Sequence, residues 1–105
     1  MIKYIILLFS TLTYAKITSA SISGRVTDGD KTIANLEITI THLPTNYFYK
    51  TETNKKGEFS LDDLDVGGPY KIVIKADYIE ERILNNIYLR LGENDLQKDI
   101  IVNKR

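Results

Sequence analysis

Leu36-Glu37-Ile38-Thr39-Ile40-Thr41 sets an apolar side chain at every second position, with a glutamate and two threonines between them. A period of two belongs to an extended strand whose successive side chains point to opposite faces. Leu36, Ile38 and Ile40 are therefore expected on a buried face, and Glu37, Thr39 and Thr41 toward water. Pro44 closes the run, because proline has no N–H for a strand ladder. Upstream, Ile22, Gly24 and Val26 alternate with Ser23, Arg25 and Thr27. A glycine in the middle of that strand predicts a close backbone approach or a bulge. Asp28-Gly29-Asp30 follows; these residue types accept positive φ and bond their own backbone, so the chain turns there.

Downstream, Tyr47 to Thr53 is rich in aromatic and β-branched residues and reads as a third strand. Asn54-Lys55-Lys56-Gly57 turns into Phe59 and Leu61, and the two segments are expected to form a hairpin. An acidic loop with Asp62, Asp63 and Asp65 leads to Gly67-Gly68-Pro69, after which Tyr70, Ile72 and Ile74 alternate with Lys71, Val73 and Lys75 as a fifth strand. Between Tyr78 and Leu91 two readings stand. Glu80, Glu81 and Arg82 before Ile83 and Leu84 can open a short helix, yet Ile87, Leu89 and Leu91 alternate with Tyr88 and Arg90. Gly92-Glu93-Asn94 reads as a turn, with Leu96, Ile100 and Val102 in a closing strand. Short strands with turn signals roughly every 8 to 12 residues predict an all-β chain of about seven strands, folded as a sandwich or a barrel. No long helical period separates the strands, which disfavours a parallel α/β fold.

The 105 residues suffice for one core. Met1 to Ala20 reads as an export signal: Lys3 is a short positive start, Tyr4 to Phe9 an apolar run, and small residues follow. Cleavage after Ala20 is favoured and Ala15 is the competing site, leaving residues 21–105 as the domain. Lys16 and its hydroxyl neighbours argue against a membrane span of roughly 20 apolar residues. Charges balance at 14 basic and 14 acidic over the whole chain. Nothing resembles a phosphate-binding surface, so nucleic acid is excluded as a partner. Cysteine is absent, which removes disulfides, thiolate metal sites, a thiol nucleophile and a lipoprotein anchor.

Three motifs then fall in one order. Ser23-Gly24-Arg25-Val26-Thr27-Asp28 is a G-x-V-x-D strand and turn. Thr53-Asn54-Lys55-Lys56-Gly57-Glu58-Phe59 is a T-(D/N)-x-x-G-x-F turn, and Leu64-Asp65-Val66-Gly67-Gly68-Pro69-Tyr70 ends in G-x-Y at the start of a strand. Together they resemble the carboxypeptidase-regulatory-like, transthyretin-like domains, which implies a carbohydrate-binding-like fold, a single Ig-like Greek-key sandwich. Gly67-Gly68-Pro69-Tyr70 with Ile87-Tyr88-Leu89-Arg90-Leu91-Gly92-Glu93 is further similar to the N-terminal domains of Oar-like TonB-dependent outer-membrane receptors. Asp77 before Tyr78 departs from the glycine common at that place. The likeness implies a non-catalytic accessory domain, exported to the periplasm or outer membrane or secreted, with an envelope protein as partner. A plug and a many-stranded barrel do not fit in this length. The expectation is a free-standing relative, one component of a split system, or a truncated product.

No catalytic, cofactor-binding or metal-binding residue is nominated. His42 is the single histidine, and without cysteine it cannot assemble a usual zinc site; it is expected in an exposed loop. Asp28 with Asp30, and Asp62 with Asp63 and Asp65, lack the glycine and bidentate glutamate of an EF-hand loop and read as turn residues. The candidate contacts for a glycan or a protein partner are Tyr47, Tyr49 and Tyr88. Alternation puts Tyr47 and Tyr49 on one face and Phe48 with Lys50 on the other, so only part of that aromatic run can be exposed.

Overall fold

The computed structural model describes residues 18–105. Most of the proposed leader lies outside the described residues. Among the described residues eight strands follow one another: β1 (Ala20–Thr27), β2 (Glu37–His42), β3 (Tyr47–Glu52), β4 (Glu58–Leu64), β5 (Gly67–Lys75), β6 (Arg82–Leu89), β7 (Gly92–Asp95) and β8 (Ile100–Ile101). They form two sheets. In one, β1 pairs antiparallel with β4 along one side and parallel with β7 and then β8 along the other. In the other the order is β3-β2-β5-β6, antiparallel throughout. No helix among the described residues is long and apolar enough to cross a membrane.

The alternating positions meet between the sheets. Ile22 and Val26 from β1, Leu36, Ile38 and Ile40 along β2, Phe59 and Leu64 from β4 and Tyr70, Ile72 and Ile74 from β5 are all buried in one core. Full burial of each such aliphatic side chain contributes about 1.5–3 kcal/mol, which sets the register, since a one-residue slip would turn every one of them outward. Ile79, Ile100 and Val102 close the same core from the C-terminal third.

Several local expectations change. The strands flanking Asn54-Lys55-Lys56-Gly57 do not form a hairpin, for β3 pairs with β2 and β4 with β1. The turn itself forms as expected: the Asn54 Oδ1 atom accepts from the Lys56 and Glu58 N–H groups at 2.9 and 3.0 Å. Its outcome is decided by what surrounds it. Thr53 stays tied to β2, donating its N–H to the Leu36 carbonyl at 3.1 Å. Gly57 then crosses to the other sheet, where its carbonyl accepts from the Val26 N–H at 2.8 Å. At φ +74° Gly57 holds a conformation that side chains disfavour, and a Cβ there would stand 2.5 Å from the Val26 carbonyl oxygen.

The acidic loop is shorter than expected, since Asp62 and Asp63 belong to the end of β4. The ambiguous stretch after Tyr78 is strand β6, and the helical alternative fails there. Gly92-Glu93-Asn94 is not a free turn but the start of β7. The expected closing strand shortens to β8, because Leu96 falls in the loop of residues 96–99 between β7 and β8, both of which run parallel to β1. With β7 formed where a turn was expected, the described residues hold eight strands where alternation marked about seven.

Candidate functional site

The second sheet ends on one side at β3, and among the described residues no strand pairs with its far side. Six consecutive pairs from Glu37↔Glu52 to His42↔Tyr47 bind it to β2 without a register shift. Thr53 donates its N–H to the Leu36 carbonyl, and in an antiparallel ladder such bonded pairs recur at every second position. Thr51, Tyr49 and Tyr47 thus spend their backbone groups on β2. Phe48, Lys50 and Glu52 turn theirs outward, as an edge does.

Residues directly opposite share a face. Tyr47 and Tyr49, opposite His42 and Ile40, lie on the core side, and Phe48, opposite Thr41, on the outer side. Tyr49 packs against the core. Tyr47 at the open end is 63% exposed and Phe48 is 61% exposed. Tyr88, 64% exposed, stands on β6 between Ile87 and Leu89, which turn inward. It therefore lies on the outer face of the opposite edge strand, three strand spacings or about 14 Å from β3. The three candidate tyrosines do not converge. Phe48 is the exposed aromatic that their selection missed, and its shared face with Lys50 was the available signal.

A second feature is a groove of about 700 Å³ running from the end of β3 across β4 and β1 to the loop after β7. Ser23, Glu52, Ser60, Asp95 and Gln97 line it, and Arg25 spans it toward Asp99. The Arg25 guanidinium donates to both carboxylate oxygens of Asp99, at 2.9 and 3.1 Å. That bond raises the arginine's pKa further above its usual range, with the Asp99 charge adding to it. With Glu58 also on its wall, the groove is rich in carboxylates.

His42 is not in a loop. It is the last residue of β2, half-buried, its ring 4.9 Å from that of Tyr70 and its Nδ1 2.7 Å from the Thr45 Oγ1 atom. Tyr70 donates its hydroxyl to the Asp65 carbonyl at 2.7 Å, and burial pushes its pKa up. Asp28 does turn work as expected, accepting from the Asp30 and Lys31 N–H groups at 2.9 and 2.8 Å. Those two bonds, with Lys31 the stronger influence, and Lys104 Nζ at 3.3 Å hold its carboxyl down at about 2. Among the described residues no three histidine, aspartate or glutamate side chains stand together as metal ligands.

No curated protein matches the chain. Among solved structures, the fold is similar to a protein of Bacteroides uniformis ATCC 8492 provisionally described as carbohydrate-binding, with a TM-score of 0.62 at 16% identity. The match covers 79% of this chain but 40% of that one, so the likeness is one of fold over part of a longer protein. The family comparison reaches further into the sequence, since the carboxypeptidase regulatory-like domain matches residues 21–102, from β1 to the residue after β8. The glycine-bearing β1, the Thr53-to-Phe59 crossing and the Gly68-Pro69-Tyr70 start of the buried β5 core all fall inside that span, and this chain belongs to the carboxypeptidase regulatory-like domain family.

Proposed function

We propose that the chain is a non-catalytic interaction module of the cell envelope, exported by its N-terminal segment. It would act as the N-terminal periplasmic extension of a TonB-dependent outer-membrane receptor acts, by meeting a protein partner. The unbroken β3 edge carries this reading, with Phe48, Lys50 and Glu52 holding backbone groups free and Tyr47 and Phe48 exposed beside them. An extended segment can add to such an edge, taking affinity from main-chain hydrogen bonds and specificity from side chains. Family membership supports a non-catalytic module.

The test is recovery of a defined envelope protein on immobilised chain, compared with Lys50→Pro. Proline at an outward-facing edge position removes one free N–H and leaves the β2 ladder whole. Equal recovery by both would remove β3 from the mechanism.

A carbohydrate-binding reading is favoured by one observation, the groove lined by hydroxyl, amide and carboxylate groups, and it fits the description of the Bacteroides uniformis neighbour. Glycan-array binding that falls on Ser60→Ala and Gln97→Ala but not on Lys50→Pro would replace the first reading with this one.

A further inference from the structure

We propose that the strand taken up by β3 is β3 of a second copy of this chain, running antiparallel with Tyr49 opposite Tyr49. The inference rests on the reading of β3 as the working edge and names its occupant.

The other edges are blunted. Along β6 the register against β5 shifts between Gly67 and Tyr70 and again between Tyr70 and Ile72, and Asn86 sits at φ 59°. On β4 the pairing with β1 shifts between Ala20 and Ile22, Asp63 sits at φ 60°, and Asp62 and Asp63 add exposed charge. Strands β7 and β8 are four and two residues long. Bulges, short length and charge are the usual devices that stop edge pairing. Among the described edge strands, β3 alone combines a length of six residues with a pairing that has no register shift.

Its sequence, Tyr47-Phe48-Tyr49-Lys50-Thr51-Glu52, complements itself in one register. Outward backbone groups at Phe48, Lys50 and Glu52 must meet the same set on the second copy. A two-fold axis at Lys50 sets lysine against lysine, and like charges directly opposite are destabilising. An axis at Thr51 slides the pairing onto Thr53 and Asn54, where the chain leaves for the other sheet, and an axis at Phe48 slides it into the turn at Asn46. With the axis at Tyr49, five pairs lie wholly within β3. Phe48 and Lys50 then exchange main-chain hydrogen bonds, and each lysine stands beside a phenylalanine ring as a cation–π pair, twice by symmetry. Tyr47 meets Thr51. The two four-stranded sheets join into one across an isologous interface.

The full chain contains no cysteine, so a single introduced cysteine reports one contact. Tyr49 forms a non-hydrogen-bonded pair with its mate, at a Cα separation of about 4.5 Å, which a disulfide spans. Tyr49→Cys is expected to become a disulfide-linked dimer under mild oxidation. Thr51→Cys is expected to stay unlinked, because the two copies of residue 51 lie four residues or about 13 Å apart along the strands. Sedimentation equilibrium is expected to show a dimer for the native chain and a folded monomer for Lys50→Pro, with circular dichroism confirming the fold. Native chain that sediments as a monomer at every concentration overturns the proposal, as does cross-linking of Thr51→Cys equal to that of Tyr49→Cys. Should that monomer still bind an envelope protein in a way Lys50→Pro abolishes, the module reading stands and only the second copy is lost.

Discussion

Phe59 lies across the backbone of Gly24 so closely that a Cβ on that glycine would stand 2.8 Å from the ring's Cζ atom. Leu96, reaching over from the loop after β7, would be 3.1 Å away. The missing side chain on β1 is the space in which β4 seats its buried aromatic ring. Gly24→Ala is therefore expected to lower the unfolding free energy by about 1–3 kcal/mol, the range for overpacking a core, as read from the urea midpoint. Adding Phe59→Leu should restore part of that loss, whereas independent sites would simply add.

Thr53 is buried, and its Oγ1 atom accepts from the Leu36 N–H at 3.0 Å. Thr53→Val keeps the shape and removes the acceptor. A buried N–H left without a partner costs about 1–3 kcal/mol, so this variant should lose that much in denaturant titration while Thr53→Ser stays closer to native.

Tyr70, Ile72 and Ile74 on β5, like Ile38 and Ile40 on β2, were legible from alternation alone, because a two-sided strand carries its burial pattern in its own residues. The fate of Asn54-Lys55-Lys56-Gly57 was not. A hairpin and a crossing between sheets use the same turn residues, and the choice rests on Thr53 meeting Leu36 and Gly57 meeting Val26, partners distant in sequence. Strands β7 and β8 are too short to show a period, and their parallel pairing with β1 leaves no local mark. The site follows the same division. That Tyr47 and Phe48 lie on different faces was readable; that both are exposed depends on β3 being an edge, which strand order decides. That Tyr88 stands on the opposite edge, β6, was hidden for the same reason.

Acid should weaken the fold through Asp28. Its carboxyl is held at about 2 in the folded chain against an ordinary 3.8, by the Lys31 and Asp30 N–H groups first and Lys104 after them. A depressed folded-state value means that the contribution is whole above 3.8 and is lost as pH falls from there through about 2. Asp28→Asn keeps an oxygen for the turn but has no carboxyl to titrate. Its melting temperature should fall less steeply than that of native protein across that window.

The proposed leader has two candidate cuts, which would leave different residues at the start of β1. Ala20 is buried at the start of β1, and the Ser19 carbonyl accepts from the Gly92 N–H at 3.1 Å. A cut after Ala20 would remove both residues and leave the Gly92 N–H without that acceptor. Intact mass spectrometry of exported protein is expected to give an N-terminus at Lys16, following Ala15. A terminus at Ser21 would contradict this.

Residue-resolved hydrogen exchange along β3 tests the edge most directly, recorded in dilute solution, in concentrated solution and with envelope extract added. The amides of Phe48, Lys50 and Glu52 are expected to exchange fast when the chain is dilute and to slow when a strand is laid against them, while Tyr49 and Thr51 stay protected throughout by β2. Fast exchange of those three amides under all three conditions, with any new protection appearing elsewhere, would contradict the claim that β3 is where this module binds.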